Sequence, residues 1–484
     1  MTALEPARRG GRTGHAPRSA VVIGGGVAGL AAALRLAEAG VATTLLETRR
    51  KLGGRATSFV DPRTGEVLDN CQHVLMGCCT NLLDFYIRLG VDGLIDWHET
   101  VYWANPPHAP DRMRPGLLPA PAHFTGSFAG MRMLTLAQKR AVARAMWAML
   151  RLGRTGRAAW EGRVFGEFLQ QTAQPAEVIE RFWSPVVVSA CNLDVDQASA
   201  ASAMQVFQEG FLASREAPLM GLATVPLVRL YDPAEQAIAA AGGRVVTGIS
   251  ALSIASDGRR ATAVITDDGT FEAEIVVSSV PPDRLARLVG PTMVQADRRL
   301  QRLDAIGTSP ILGVHLRFPK PVMLLPHLVL PGRGTQWLFN KSARGPEPDG
   351  SQHLHAVISA AHAWMELDEA EIARRVLEDI RWALPEARGV EPLSVRSVKE
   401  KRATFACVPG LEKRRPTAAA DGFDRDGGVR NLYLAGDWTR TGWPATMEGA
   451  VRSGYLAAGA ALGEDLLIRD LPMGRMARAL GLAR

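Results

Sequence analysis

The feature that most restricts the fold is the segment "VVIGGGVAGLAAALRLAEAGVATTLLE" near the start of the chain. Its apolar pattern predicts a buried strand, an alanine-rich helix and a second strand, at residues 21–23, 30–39 and 43–46. Between the first strand and the helix, Gly24, Gly26 and Gly29 have the GxGxxG spacing of a dinucleotide-binding turn. The segment therefore predicts an α/β protein with a Rossmann-like nucleotide-binding domain.

Each glycine of this turn has a separate role in such a domain. Gly24 permits the tight turn, Gly26 lets a pyrophosphate approach the backbone, and Gly29 lets the helix pack closely on the strand. The phosphates then lie at the positive end of the helix. Glu47 ends the second strand, where an acidic side chain binds both ribose hydroxyls of an adenosine. The predicted ligand is therefore an adenine dinucleotide.

The size of the chain and its cysteines set the wider expectations. A chain of 484 residues exceeds what one hydrophobic core usually organises, so two domains are expected. The five cysteines include no CxxC pair, which indicates reduced thiols in the cytoplasm rather than a disulfide framework. Arg35 and Glu38 interrupt the best candidate for a membrane-spanning run. We therefore expect a cytoplasmic protein that does not span a bilayer.

Two further motifs extend the nucleotide site. After Glu47 the chain continues "TRRKLGGRATSF", a second glycine turn followed by a guanidinium that can pair with a pyrophosphate. Near the C-terminus, "NLYLAGDWTRTGWPATMEGAVRSG" predicts a buried strand, then Gly436 and Asp437, then a helix that starts near Thr446. In these three motifs the sequence resembles the flavin-containing amine oxidase and phytoene desaturase superfamily. The resemblance implies FAD as the cofactor.

The resemblance also implies a role for individual residues in binding FAD. It places Arg49 at the ribose, a backbone group of Ile249 at the adenine, Asp437 at the ribityl or phosphate region, and the helix start at Met447 near the pyrimidine end of the flavin. The full set of implied cofactor-binding residues is Gly24, Gly26, Gly29, Glu47, Arg49, Gly53, Gly54, Arg55, Ile249, Gly436, Asp437 and Met447. No second GxGxxG turn with a strand and a helix is present, so we expect an external electron donor.

In this superfamily the FAD-binding domain is discontinuous. The resemblance implies that it is assembled from residues 18–90, 222–290 and 396–462. A second, α+β substrate-binding domain would comprise residues 91–221 and 291–395. The two ends are expected as a disordered basic tail and a C-terminal tail, residues 1–17 and 463–484.

A narrower resemblance involves "LDNCQHVLMGCCTN", "FWSPVVVSACN" and the C-terminal motif. Together they resemble the hydroxysqualene dehydroxylases of bacterial hopanoid synthesis, which implies reductive dehydroxylation of the C30 isoprenoid hydroxysqualene to squalene. A carotenoid or squalene desaturase is the nearest alternative. An amine oxidase is less favoured, because Thr446 stands where an aromatic residue usually precedes Met-Glu-Gly. A non-catalytic prenyl-binding protein of related fold is also less favoured, since Glu47, Arg55 and Asp437 are intact.

By the same resemblance, the loop with Cys71, Gln72 and His73 lines the reaction chamber. His73 is the first candidate for the acid that protonates the departing oxygen, with Asp69 or Asp194 as orienter or substitute. The alternative is that His73 only shapes the pocket and Asp69 braces the loop.

The cysteines of this loop raise the alternative of a metal site. Cys78 and Cys79 are adjacent and point apart in any regular element, and no second ligand cluster is evident, so we expect no metal. They are expected to be small buried packing residues. Cys71 occupies a position where the family pattern has glycine, which would allow closer backbone approach or a positive φ.

Residues 131–160 contain six arginines and one lysine but no acidic residue. A helix there would place apolar side chains near one stripe with cations around it, namely Leu136, Val142, Met146, Trp147 and Leu150 among Lys139, Arg140, Arg144 and Arg151. Because a C30 hydrocarbon dissolves only in lipid, this pattern favours peripheral binding to an anionic inner membrane surface rather than to nucleic acid. The alternative is a helix packed on the core with a solvated basic face.

Overall fold

A computed structural model describes residues 18–345, 347–420 and 428–484. The predicted basic tail, residues 1–17, lies outside the described residues. No helix in the described ranges is long and apolar enough to cross a membrane.

The strands of the described residues form several sheets. In chain order they are β1 Ser19–Ile23, β2 Ala42–Glu47, β3 Ser58–Val60, β4 Val67–Asp69, β5 Val74–Met76, β6 Ile95–His98, β7 Val101–Asn105, β8 His108–Met113, β9 Met220–Ala223, β10 Arg244–Thr247, β11 Ala251–Ser256, β12 Ala261–Thr266, β13 Gly269–Glu272, β14 Ile275–Ser278, β15 Thr308–Phe318, β16 His327–Val329, β17 Trp337–Asn340, β18 Gln352–Ser359, β19 Ser394–Phe405 and β20 Leu432–Leu434.

The α-helices are distributed between these strands. In chain order they are α1 Val27–Glu38, α2 Thr80–Arg88, α3 Thr125–Gly130, α4 Leu136–Gly156, α5 Phe165–Gln171, α6 Ala176–Val178, α7 Ser184–Cys191, α8 Ala200–Phe207, α9 Pro233–Ala240, α10 Pro282–Leu288, α11 Pro291–Ala296, α12 Glu369–Ala383, α13 Met447–Leu462 and α14 Arg475–Ala479.

The first layer is a parallel sheet of five strands in the order β10-β2-β1-β14-β20. Val22 of β1 lies beside Leu45 of β2 and Val277 of β14, and all three side chains are buried. Helix α1 is buried along most of its length between this sheet and α13, which explains its run of alanines. The structure confirms the predicted strand–turn–helix–strand unit and the α/β fold class.

The second layer is a mixed sheet of seven strands in the order β19-β15-β18-β17-β16-β7-β8. One face carries Leu312, Val314 and Leu316 and packs against α12. The opposite face is turned toward the loop between β4 and β5. β19 pairs with β15 in this sheet, so residues 396–405 lie in the seven-stranded sheet, whereas the resemblance implied that they are part of the FAD-binding domain. Backbone pairing between distant strands leaves no local sequence signal.

The helices between β8 and β9 share one apolar core with residues of the parallel sheet such as Val21 and Val276. Phe165, Trp183 and Phe207 pack against one another at its centre. The apolar stripe expected on α4 is divided, because Val142 and Leu150 are buried in this core whereas Leu136 and Trp147 are exposed. The structure therefore favours the alternative of a helix packed on the core.

Several cations of α4 and of the turn that follows it are already paired within the protein. Arg144 donates hydrogen bonds to the carbonyls of Thr172 and Ala173, and Arg154 and Arg157 form ion pairs with Glu209. The predicted C-terminal tail also packs here: the amide of Thr155 donates to the Arg484 carbonyl, and the Leu482 side chain is buried.

Candidate active site

The first glycine turn connects the end of β1 to the start of α1. Gly26 is the N-cap of α1 and has no side chain to occupy the helix end, so the amides of the first turn remain open to a ligand. The Gly25 amide donates to Glu47 Oε2 at 2.6 Å, which holds the carboxylate at the end of β2 beside the turn. The turn predicted to bind the pyrophosphate and the acidic side chain predicted to bind the ribose are therefore adjacent.

The second glycine turn lies directly against the first. Gly26 and Gly53 form a parallel β-bridge, and the Gly53 amide donates to the Gly25 carbonyl at 2.9 Å. A Cβ on Gly54 would come within 2.9 Å of the Gly26 Cα. The sequence indicates each turn separately but does not reveal that they touch.

Arg55 follows this turn and pairs with Asp437 from the C-terminal motif. Its guanidinium also donates to the Ala403 carbonyl at 3.0 Å, while its side chain stays 39% exposed. Asp437 is held in turn by Arg415, whose Nη2 donates to the Asp437 carbonyl at 2.8 Å. Arg415 is buried over the Phe405 ring and is an anchor of the motif that the sequence reasoning missed.

The residues predicted near the adenosine end also come together. The Ile249 amide donates to the Glu47 carbonyl at 3.1 Å, so the segment after β10 lies beside the end of β2. The Arg49 amide donates to Glu47 Oε1 at 2.8 Å, and the Arg49 side chain is exposed. Contact of Ile249 and Arg49 with a cofactor remains a proposal.

The N-terminus of α13 is well defined. Thr446 is its N-cap and accepts a hydrogen bond from the Gly449 amide at 3.0 Å. The Met447 sulfur accepts a hydrogen bond from the Tyr231 hydroxyl at 3.5 Å. Glu448 is fully buried and accepts from the Leu82 amide and from Arg452 Nε, at 2.8 and 2.7 Å. Glu448 therefore ties α13 to α2.

These groups fit the dinucleotide part of FAD. The open end of α1 and the Cβ-free surface at Gly26 and Gly54 suit a pyrophosphate, and the half-exposed Arg55 supplies a cation beside it. Glu47 suits the ribose hydroxyls. When bound at such a site, FAD supplies hydride-transfer chemistry.

The loop between β4 and β5 carries the candidate acid, His73. Its Nδ1 lies 3.1 Å from the Cys71 carbonyl and donates to it, which leaves Nε2 as the nitrogen that gains or releases a proton. Burial lowers the pKa of His73, an effect partly opposed by this hydrogen bond. Gln72 accepts a hydrogen bond from Lys341 Nζ at 3.1 Å, which fixes the middle of the loop.

Asp69 braces the loop and does not orient His73. Its buried carboxylate accepts hydrogen bonds from Ser58 Oγ at 2.7 Å, from the Leu227 amide at 2.9 Å and from Lys341 Nζ at 3.1 Å. With these three partners the carboxylate is committed to neighbouring strands and loops. These hydrogen bonds are those of a brace and none of them joins the Asp69 carboxylate to His73, while the role of Asp69 as a substitute acid stays a prediction.

Asp194 is not placed to act with His73 either. It lies in a turn between α7 and α8, where its carbonyl accepts from the Gln197 and Ala198 amides and its side chain is exposed. Asn192 of the same segment has the structural role, since its side chain bonds the Ser309 carbonyl at 3.1 Å and the Ala360 amide at 2.6 Å. The sequence does not distinguish the exposed carboxylate of Asp194 from the buried amide of Asn192, because both are polar side chains in the same segment.

Cys71 is a packing residue, and of the other two loop cysteines Cys78 is buried as expected whereas Cys79 is only half-buried. Cys71 belongs to a small apolar cluster with Met220, Phe339 and Val357, between the loop and the seven-stranded sheet. Burial raises the pKa of the Cys71 thiol to about 12, so the thiol is neutral near pH 7. In the described residues, no three His, Cys, Asp or Glu side chains are grouped as a metal ion requires.

Three histidines that lie under the loop were not identified as candidate site residues from the sequence. His315 of β15 lies between His353 and His355 of β18, with His315 Nδ1 2.9 Å from His353 Nε2 and the His315 and His355 rings stacked at 3.9 Å. His315 Nε2 donates to the Asp69 carbonyl at 2.9 Å. The i, i+2 spacing of His353 and His355 on an apolar strand was the available signal.

The family model described as flavin containing amine oxidoreductase matches residues 27–462. Hydroxysqualene dehydroxylase of Rhodopseudomonas palustris is 28% identical, covering 90% of this chain and 96% of the relative. The same enzyme of Sinorhizobium fredii is 27% identical, with 93% and 99% covered. 15-cis-Phytoene desaturase of Synechococcus elongatus is 24% identical, with 94% and 98% covered.

The solved structures similar to this chain support the fold. An oxidoreductase of Methanosarcina mazei superposes with a TM-score of 0.69 at 19% identity, covering 90% of this chain and 98% of the other. Putrescine oxidase bound to putrescine superposes with a TM-score of 0.66 at 17% identity, covering 92% and 98%. At these identities the likeness extends to the fold alone.

Proposed function

Because the chain belongs to the flavin-containing amine oxidoreductase family and is an FAD-dependent oxidoreductase, we propose that its substrate is the C30 isoprenoid alcohol hydroxysqualene, which it reduces to squalene. The observation that carries the proposal is the loop between β4 and β5. There a half-buried His73 lies next to an apolar cluster, with Nε2 left as its proton-exchanging nitrogen. The similarity to two hydroxysqualene dehydroxylases over nearly the whole chain supports it.

The chemistry requires one hydride and one proton. The C–O bond of the allylic alcohol breaks, a C–H bond forms at that carbon, and the departing oxygen leaves as water. We assign the proton to His73 Nε2, while Cys71 and its apolar neighbours keep water away from the carbon. Lys341, bonded to both Asp69 and Gln72, holds the loop in place during this step.

We further propose a cytoplasmic location, peripheral on the inner face of the cell membrane, and a role in hopanoid synthesis. A C30 hydrocarbon is held in lipid, so its enzyme works at a bilayer surface. An external electron donor would reduce the cofactor, because a second GxGxxG turn is absent from the sequence.

A desaturase of a C30 or C40 isoprenoid is the second candidate, and the similarity to 15-cis-phytoene desaturases favours it. The two reactions run in opposite redox directions. A desaturase removes a hydride and a proton from adjacent carbons of a hydrocarbon and has no departing oxygen to protonate, so His73 would act there as a proton acceptor rather than as an acid.

The direct test is anaerobic. The FAD-loaded protein is reduced chemically and mixed with hydroxysqualene in detergent; we expect reoxidation of the flavin and an equal amount of squalene. Phytoene and squalene, added to the oxidised protein, are the matched controls and should leave the flavin oxidised. Flavin reduction by either hydrocarbon, without reoxidation by hydroxysqualene, would favour the desaturase.

The lowered pKa of His73 predicts the pH dependence of the same step. The acid must be protonated to act, and its protonated fraction falls as pH rises through the lowered pKa. The single-turnover rate of reoxidation should therefore increase as pH is lowered below the ordinary histidine range and level off under the pKa of His73. His73→Gln should abolish this increase of the rate at low pH. If the pH dependence is unchanged in His73→Gln, the proton comes from another group.

A further inference from the structure

A groove of about 610 Å³ lies at the outer edge of the seven-stranded sheet, away from the FAD-binding residues. β8 is the last strand of that sheet, so its outer side is not covered by another strand of the sheet. The groove is formed by β7, β8, the loop after β8, α3 and the loop before β16. Its wall includes Tyr102, Arg112, Arg114, Ser127, Arg132 and Leu325.

Three guanidinium groups face this groove without acidic partners. Arg112, Arg114 and Arg132 are exposed, and among the described residues none of them forms an ion pair. Arg112 lies 5.9 Å from the Tyr102 ring centroid. The one acid of the wall, Asp111, is buried and accepts hydrogen bonds from the amides of Arg132 and Met133 and from Asn105. The groove therefore presents an excess of positive charge.

Exposed leucines stand next to the groove on two separate segments. Leu117 is 97% exposed and follows Gly116 in the wall, and Leu118 comes next. Leu324 is 91% exposed and precedes Leu325 on the opposite segment. Full exposure of such side chains is unfavourable in water unless a partner covers them.

The loop that carries Leu117 and Leu118 is braced. Ser127 Oγ donates to the Arg114 carbonyl at 2.9 Å and accepts from the Arg114 amide at 3.2 Å. The Gly116 amide donates to the His123 carbonyl at 2.6 Å. These bonds hold both ends of the loop to the protein, so the leucines are presented outward by a fixed scaffold.

We propose that this groove and its leucines form the surface that docks on a bilayer containing anionic phospholipid. Guanidinium groups bind lipid phosphates bidentately. Leucines next to these groups can enter the boundary between the lipid headgroups and the acyl chains. A nucleic acid would use the arginines but would leave the leucines in water, and a free phosphate would do the same. The inference rests on the membrane location proposed above and identifies the surface that would make it possible.

The test is sedimentation of the FAD-loaded full chain with vesicles, without substrate. We expect the protein to bind phosphatidylcholine vesicles that contain phosphatidylglycerol, to bind pure phosphatidylcholine much less, and to dissociate as salt rises. The triple variant R112A/R114A/R132A should bind about 100-fold more weakly, the effect of removing three cations from an anionic surface. L117S/L118S should lower binding about tenfold or more and should do so at high salt as well.

The matched control lies on α4, which carries its own exposed Trp147, Arg140 and Arg151. R140A/R151A and Trp147→Ser should bind vesicles within about twofold of the parent protein, because the docking surface is elsewhere. All variants should keep their flavin content and melting temperature. Loss of binding in the α4 variants with no loss in the groove variants would overturn the proposal, as would the absence of binding to anionic vesicles in the parent protein.

The docking surface and the proposed reaction can fail independently. In the groove variants, the reduced flavin should be reoxidised at the normal rate by hydroxysqualene dispersed in detergent, because the protein does not have to bind a bilayer to obtain this substrate. Absence of that activity in the parent protein would count against the reaction and would leave the vesicle result standing. Displacement of the protein from anionic vesicles by inorganic phosphate, beyond the effect of chloride at equal ionic strength, would indicate a soluble phosphate ligand and overturn the bilayer as the partner.

Discussion

Replacing His73 with alanine is expected to leave FAD bound and to slow reoxidation by hydroxysqualene by about two to four orders of magnitude, the usual contribution of one general acid. The cofactor should remain because its proposed anchors, Glu47, Arg55 and Asp437, lie on other segments. The step should slow because Nε2 of His73 is the assigned source of the proton. Stopped-flow single turnover with the reduced protein measures it directly.

Flavin content and melting temperature separate this role from a structural one. His73 donates to the Cys71 carbonyl, so its loss also removes one hydrogen bond of the loop. A purely structural His73 would lower the flavin content and the melting temperature together, with little loss of rate per bound flavin. His73→Gln, which retains a polar side chain of similar reach, should lose the rate as well if protonation is the function.

The thiol of Cys71 is expected to be dispensable. Cys71→Ala should keep the rate close to that of the parent protein, because the neutral buried thiol contributes packing only. Cys71→Gly, the residue of the family pattern, should also retain activity. Cys71 does not have a positive φ, so glycine would relieve no backbone strain there. Loss of activity in both variants would indicate a reactive thiol.

Two glycines of the first turn should respond very differently to alanine. A Cβ on Gly29 would lie 1.9 Å from the Gly24 carbonyl oxygen and 2.5 Å from Ser279 Oγ, so the turn must move. Gly29→Ala should lower the free energy of unfolding by about 3 kcal/mol and abolish FAD binding. A Cβ on Gly26 meets only the Gly54 Cα, at 3.8 Å, and Gly26 has φ −74° and ψ 171°, which alanine adopts.

Gly26→Ala should therefore fold normally, within about 0.5 kcal/mol of the parent protein. It should nevertheless bind FAD at least about tenfold more weakly, because its methyl group occupies the space through which a pyrophosphate approaches the backbone. Denaturant unfolding without cofactor and fluorescence titration with FAD measure the two effects. Unchanged FAD affinity in Gly26→Ala would place the pyrophosphate somewhere else.

Local patterns predicted the local structure well. The strand–turn–helix–strand unit follows from apolar periodicity and glycine spacing within thirty or so residues, and it is present at the expected positions. The helix start at Thr446 was also predictable, since a threonine N-cap is a local signal. The dinucleotide followed from a glycine turn that has a physical reason of its own, whereas FAD was implied by the resemblance to the flavin-containing superfamily.

Contacts between distant segments could not be predicted in the same way. The bridge between Gly26 and Gly53, the clamp of Arg415 on Asp437 and the pairing of β19 with β15 depend on how separate segments meet. The same limit applies to the surroundings of Asp69 and Asp194. An aspartate that braces a loop and an aspartate that faces solvent are the same residue type in the sequence. Only their neighbours in the fold distinguish them.

The order of strands in the parallel sheet has a consequence for the synthesis of the protein. β14 occupies its place between β1 and β20, and β20 is the last strand that the described chain contributes. While the nascent chain is still on the ribosome, β14 has one unpaired edge until Leu434 has emerged. Helix α13, which covers α1, emerges later still. The FAD site can therefore be completed only after β20 and α13 have emerged, and until then the unpaired edge of β14 and the uncovered face of α1 are sites to which a chaperone can bind.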